Sequence, residues 1–167
     1  MLDTGSSLHF RMHRWVYWGP LILSVTACLT YTGCAGSGVN SVEDFSTREV
    51  VLPDGAKVRA EAMTDQRDMM RGMMFRENFP EGRGMLFFYA TSGKYPNWTY
   101  QVKVPLDIIW MDRGGRVVEM VSNAAPCKTQ ASGCLHYGGT QNATTVLELP
   151  GGTATKHGIK VGETLQF

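Results

Sequence analysis

Nineteen glycines are spread along the 167-residue chain rather than gathered in one tract, and that spacing suits frequent turns between short strands better than a helical bundle. Arg48 to Leu52 is a β-branched run that meets Pro53-Asp54-Gly55, where proline presets φ and glycine accepts a positive one. Beyond it Ala56, Val58, Ala60 and Ala62 alternate with Lys57, Arg59 and Glu61, the period of a half-buried strand. Thr64 or Asp65 caps a short helix through Met70, with Gly72 placed to end it. Gly84 to Ala90 reads as a strand covered on both faces. A loose strand spans Trp98 to Val104, and strands at Leu106–Asp112 and Arg116–Ser122 form a second hairpin about Arg113-Gly114-Gly115. Residues 123–142 form a long ordered loop, followed by a strand at Thr144–Leu149, one helical turn at Gly152–His157 and a last strand at Ile159–Phe167. The fold class expected is mainly β: a compact sandwich or barrel-like sheet pair with one or two short helices.

The N-terminal segment has a different character. Arg11, His13 and Arg14 precede an uncharged apolar stretch from Trp15 to Leu29, the n-region and h-region of an export signal. Gly19-Pro20 and interspersed Thr and Ser make it a better signal core than a membrane-spanning helix. Two cysteines are candidates for lipidation after cleavage behind small residues. Val25-Thr26-Ala27-Cys28 fits the local pattern more closely than Tyr31-Thr32-Gly33-Cys34. Cysteine arithmetic favours Cys34, because its use removes Cys28 with the signal and leaves Cys127 and Cys134 as an even pair. Met12 as the true start would also give a compact n-region before it. The expected division is a lipoprotein-type signal at 1–33, a flexible linker at 34–46 and a single β-rich domain at 47–167, with lipid on Cys34 and Cys28 as the alternative. That places the domain on the periplasmic or outer side of a bacterial envelope, held to the membrane by its lipid.

Four blocks of the domain resemble a bacterial and archaeal family known only as domain of unknown function 192. They are Arg71-Gly72-Met73-Met74-Phe75-Arg76, Gly82-Arg83-Gly84-Met85-Leu86-Phe87-Phe88, Val104-Pro105-Leu106-Asp107-Ile108-Ile109, and Val146-Leu147-Glu148-Leu149-Pro150-Gly151-Gly152 with His157-Gly158-Ile159-Lys160-Val161-Gly162. The resemblance implies a compact β-rich fold behind a signal or anchor, and no established activity. Where the family carries a Trp-Met-Lys-Asn-Thr block, this chain reads Trp98-Thr99-Tyr100-Gln101-Val102. Tyr100 and Gln101 thus stand at the Lys and Asn positions.

The side chains able to carry chemistry are few. Cys127 and Cys134, with six residues between them, are set to form a disulfide in an oxidising compartment. His136 allows a Cys/Cys/His metal site to be drawn, without a fourth ligand at zinc-site spacing. Met69, Met70, Met73 and Met74 cluster on and just after the short helix; soft thioethers suit Cu(I), while methionine also fills gaps where a helix packs on a sheet. The packing use is the working expectation, with no cofactor. Asp107 sits in an apolar strand and needs a partner. Arg71 and Arg76 are the candidates, so that Arg71, Met73, Arg76, Trp98 and Asp107 make a candidate pocket or ion pair that ties the Met-bearing helix to the central sheet. His136 and His157 have no motif partner, the serines form no nucleophile elbow, and no catalytic residue is assigned.

A formal charge of +1 without a dense Lys/Arg run points away from a nucleic-acid partner. The leading function is a non-enzymatic binding or interaction module of the envelope, whose partner is another envelope protein or a small ligand. A soft-metal or small-ligand binding protein is the first alternative, and an enzyme using Asp107 with an arginine is the second.

Overall fold

Pro53-Asp54-Gly55 reverses the chain as its residues dictate. Gly55 adopts φ 84°, the Asp54 carboxylate accepts a hydrogen bond from the Ala56 amide at 3.0 Å, and strands β1 (Thr47–Val51) and β2 (Lys57–Met63) pair antiparallel with Val50 opposite Val58. The computed structural model describes residues 47–167; the expected signal and linker, with Cys28 and Cys34, lie outside the described residues. Helix α1 (Gln66–Arg71) follows, capped by the Asp65 carboxylate on the Arg67 amide and ended at Gly72 with φ 43°. It serves as the crossover that a parallel pair requires, since β3 (Arg83–Gly93) runs parallel to β2.

The remaining strands are β4 (Asn97–Trp98), β5 (Leu106–Met111), β6 (Val117–Ala124), β7 (His136–Tyr137) and β8 (Ala143–Pro150), with helix α2 at Thr153–Lys156. Six strands form one mixed sheet in the order β1-β2-β3-β8-β5-β6, and β4 pairs with β7 in a small ribbon. The hairpin about Arg113-Gly114-Gly115 forms as expected, joining β5 to β6. The long loop at 123–142 holds β7 and a 3-10 turn at Ala131–Gly133.

Both faces of the central strands are covered, and the two-residue period of a strand sorts side chains into two layers. Leu86, Ile109, Leu147 and Leu149 pack with Ala154, Ile159 and Leu165 in one layer. Met85, Phe87, Ile108, Trp110 and Val146 pack with Met63 and Met73 in the other. Trp110 is fully buried; its indole N–H donates to the Tyr95 carbonyl at 2.7 Å. Gly138 passes directly over that ring, where a Cβ would lie 2.4 Å from it.

Two expected strands shorten. Of Trp98–Val104 only Trp98 lies in a strand, at the end of β4, because Gln101 turns the chain with φ 56°. Ile159–Phe167 makes only single bridges, Arg116 to Thr164 and Val51 to Gln166. The Gln166 carbonyl accepts from the Val51 amide at 2.9 Å and the Glu163 carbonyl from the Val117 amide at 2.8 Å. This segment divides its hydrogen bonds between opposite edges of the sheet and accumulates no ladder with either. It draws the two edges together over Leu165, so the sheet curls without closing into a barrel.

Asp107 corrects the expected arginine pair. It is fully buried, and its oxygens accept from the backbone amides of Asn123 at 2.8 Å and Ala154 at 2.7 Å. Its neighbours Leu106 and Ile108 face the methionine-rich layer, so Asp107 faces the opposite one, while Arg76 pairs with Glu61. The arrangement has a clear cause: the N-cap of α2 is Gly152, which has no side chain to offer, and a carboxylate from β5 satisfies the orphan amide instead. Asp107→Asn would set an NH2 group against one of two backbone donors. A loss of about 2 to 4 kcal/mol is expected, read from urea midpoints; a loss below about 1 kcal/mol would show that the amides find other partners.

Candidate functional site

Strand register brings two acidic residues into one row across the methionine-rich layer. Glu61 of β2 stands opposite Met85 of β3, Met85 opposite Glu148 of β8, and Glu148 opposite Ile108 of β5. Each carboxylate points inward because the period of its strand leaves no other direction: Ala60 on one side of Glu61, and Leu147 and Leu149 about Glu148, fill the opposite layer. Both glutamates are only 3% exposed. The alternation in β2 predicts an outer face for Glu61, and Glu148 stands out in the sequence only as part of a family block. The available signal for Glu148 was a carboxylate in the middle of Val146-Leu147-Glu148-Leu149, a run that reads as a fully covered strand.

The two carboxylates are satisfied to different degrees. Arg76 grips Glu61 with two parallel hydrogen bonds of 2.7 Å each, the bidentate geometry that makes arginine–carboxylate pairs strong. Arg83 adds a second cation at 3.6 Å. Among the described residues Glu148 receives one hydrogen bond, from the Asn97 side-chain amide to Oε1 at 2.7 Å, and its buried Oε2 has no partner. Burial pushes the Glu148 carboxyl up to about 7, against the opposing pull of the Asn97 hydrogen bond and the Arg76 charge. Tyr89 is raised to about 12 by burial and, secondarily, by the nearby negative charges of Glu148 and Tyr95.

A cavity of about 20 Å³ borders Glu148, room for one water-sized body. Met69, Met70, Arg71, Gly72, Met73 and Met74, from α1 and the turn after it, form one side. Phe87 joins Glu148 from the sheet, and Asn97, Trp98 and Val102 complete the lining. Of the residues singled out in the sequence, Arg71, Met73, Trp98 and the other three clustered methionines therefore come together. Arg76 stands outside the lining and acts through its charge; Asp107 belongs to the other layer.

The rim is strained and braced. Phe75 and Gln101 both adopt positive φ, 64° and 56°, and the Phe75 amide donates to the Gln101 carbonyl at 2.9 Å. Such conformations cost side-chain-bearing residues energy and persist where the surroundings impose them. The segment Trp98–Val102 is held by the neighbouring loop: Thr99 Oγ1 donates to the Ala125 carbonyl at 2.7 Å, and the Cys127 amide to the Thr99 carbonyl at 3.1 Å. Cys127 is disulfide-bonded to Cys134, which fixes that loop. His136 pairs opposite Trp98 in the ribbon and meets its ring edge-on at 6.0 Å.

Two expected outcomes follow from this geometry. An acid whose carboxyl is raised from 4.5 to about 7 on folding holds its proton longer in the folded chain. The unfolded state then binds fewer protons across that window, and stability falls as pH rises through it. Glu148→Gln abolishes that term, so the variant should gain on the wild type by an amount on the order of 3 kcal/mol between pH 5 and pH 8. Parallel denaturant titrations at the two pH values check this, and a pH-independent difference would refute it. Gln101→Asn should raise the thermal midpoint by an amount equivalent to about 0.5 kcal/mol, since asparagine tolerates the left-handed region better than glutamine; an unchanged or lower midpoint would show that the glutamine side chain compensates.

The family model described as Uncharacterized ACR, COG1430 (DUF192) matches residues 49–167. Among solved structures, a protein of unknown function from Novosphingobium aromaticivorans DSM 12444 is similar at 27% identity and a TM-score of 0.63, covering 72% of this chain and 85% of its own. A candidate transcription regulator from Sinorhizobium meliloti 1021 shares the fold at 23% identity and a TM-score of 0.64, covering 74% of this chain and 95% of its own. No curated protein matches the sequence. The fold, the four sequence blocks and the extent of the match agree: this chain belongs to the domain of unknown function 192 family.

Proposed function

We propose that this is a binding protein of the bacterial envelope, exported by its N-terminal signal and tethered through lipid on Cys34, which takes a small cationic or hydrogen-bond-donating group into the cavity beside Glu148. One observation carries the binding part: Glu148 Oε2 is buried and has no partner among the described residues. A buried acceptor left unpaired costs about 1 to 3 kcal/mol, and a ligand that donates to it recovers that loss. The methionine and aromatic walls give such a ligand an apolar surround, the usual composition of a small-ligand site. The tether is supported by Arg11, His13 and Arg14 ahead of Trp15–Leu29 and by Gly33 before Cys34. A disulfide at Cys127–Cys134 suits an oxidising compartment.

Both parts are open to measurement on the chain isolated from its own membranes. Intact mass should show cleavage before Cys34 with added lipid, whereas an unlipidated product or one retaining Trp15 to Leu29 would remove the tether. Methylammonium titrated at pH 8 into chain carrying 13C-methyl methionine should shift resonances of the cavity methionines saturably, with binding at least tenfold weaker in Glu148→Gln. No saturable shift, or equal affinity in the variant, would remove the cationic-ligand reading.

A further inference from the structure

Met73, at 2% exposure, serves as a core residue, as do Met63 and Met85 in the same layer. Met69, partly buried, packs against the same layer, but that explanation does not extend to Met70 and Met74. Met70 is 71% exposed and Met74 only half-buried, yet both line the cavity beside Glu148 together with Met69 and Met73. An exposed methionine gains little from burial; what separates it from leucine is a soft, polarisable sulfur. Four thioether-bearing residues thus line a small space that is also bordered by Arg71 and by a buried carboxylate with one oxygen unpartnered among the described residues.

The geometry points to a soft monovalent cation, Cu(I), held by thioethers of this cluster and neutralised by Glu148. The inference rests on reading the cavity as a binding site and names its ligand class. Thioethers are neutral, so a site made of them alone would bring an uncompensated charge into an apolar layer. Glu148 supplies the opposite charge inside that layer, and Trp98 adds an aromatic surface that favours a cation. A hard dication would need six or more oxygen ligands, whereas the side chains lining this cavity offer oxygen only from Glu148 and Asn97.

The test uses the full chain in detergent with Cys28→Ser and Cys34→Ser, so that no free thiol competes, and with the Cys127–Cys134 disulfide left oxidised. Cu(I) is supplied anaerobically as its acetonitrile complex in competition with bicinchoninate, and copper K-edge absorption identifies the bound atoms. One equivalent should bind with sulfur ligands. Met70→Leu combined with Met74→Leu, at positions that carry little of the core, should weaken binding at least tenfold. Glu148→Gln should do the same while sulfur ligation is retained. Failure to compete for Cu(I), a copper site without sulfur, or unchanged affinity in the double methionine variant would overturn the inference. If methylammonium still binds the wild type when Cu(I) does not, copper is removed and the cavity remains a site; if neither binds, both readings fall.

Discussion

A strand covered on both faces has nowhere harmless to send a carboxylate, and the sheet is arranged around that constraint. Among the described residues Glu61, Asp107 and Glu148 are buried acids, and each is accommodated differently. Asp107 is absorbed by two backbone amides and fixes α2 against β5. Glu61 is held by the fork of Arg76, with Arg83 nearby, and ties the segment after α1 to β2. Glu148 has one amide donor and a raised affinity for a proton. Breaking a buried ion pair such as Arg76–Glu61 costs about 3 to 5 kcal/mol and losing the amide contacts of Asp107 about 2 to 4, so the first two are the firm structural fixings. The third is the member of the set whose environment is incomplete.

That difference explains how much of the molecule could be read from its residues. Turn chemistry is local, and Pro53-Asp54-Gly55 and Arg113-Gly114-Gly115 reverse the chain where they stand. The Asp65 cap and Gly72 stop delimit α1 for the same reason. The need of Asp107 for partners was also legible, from the apolar residues around it. The identity of those partners was not, because which layer a side chain enters relative to Arg76 depends on register between strands far apart in sequence. Glu61 and Glu148 show the same limit: they share a row only because β3 lies between β2 and β8. The methionine cluster and Trp98 were visible as residues, whereas the carboxylate they surround emerges only from the order of strands in the sheet.

The wall bearing the methionines is also the least self-sufficient element. Helix α1 has six residues, none of them fully buried, far below the length at which an isolated helix is stable. Its position depends on the Asp65 cap, on Gly72 resting against Phe87, and on the Arg76–Glu61 pair just beyond it. Strain at Phe75 and Gln101 is concentrated at the same rim. Elements of this kind open at lower free energy than the sheet beneath them, which for the proposed ligand is a way into the cavity that leaves the core undisturbed.

The segment that draws the two sheet edges together has a kinetic meaning as well. Val51 pairs with Lys57 across the hairpin and meets Gln166 on its other side, so the outer edge of the first described strand waits on residues more than a hundred positions later. The parallel join of β2 to β3 and the insertion of β8 between β3 and β5 are likewise non-local. Chains governed by such distant contacts fold slowly, because loop closure must precede the contacts that reward it. A polypeptide emerging from its N-terminus therefore holds no finished sheet until β8, inserted between β3 and β5, arrives. For a protein proposed to cross a membrane before it folds, that delay keeps the chain threadable throughout its passage.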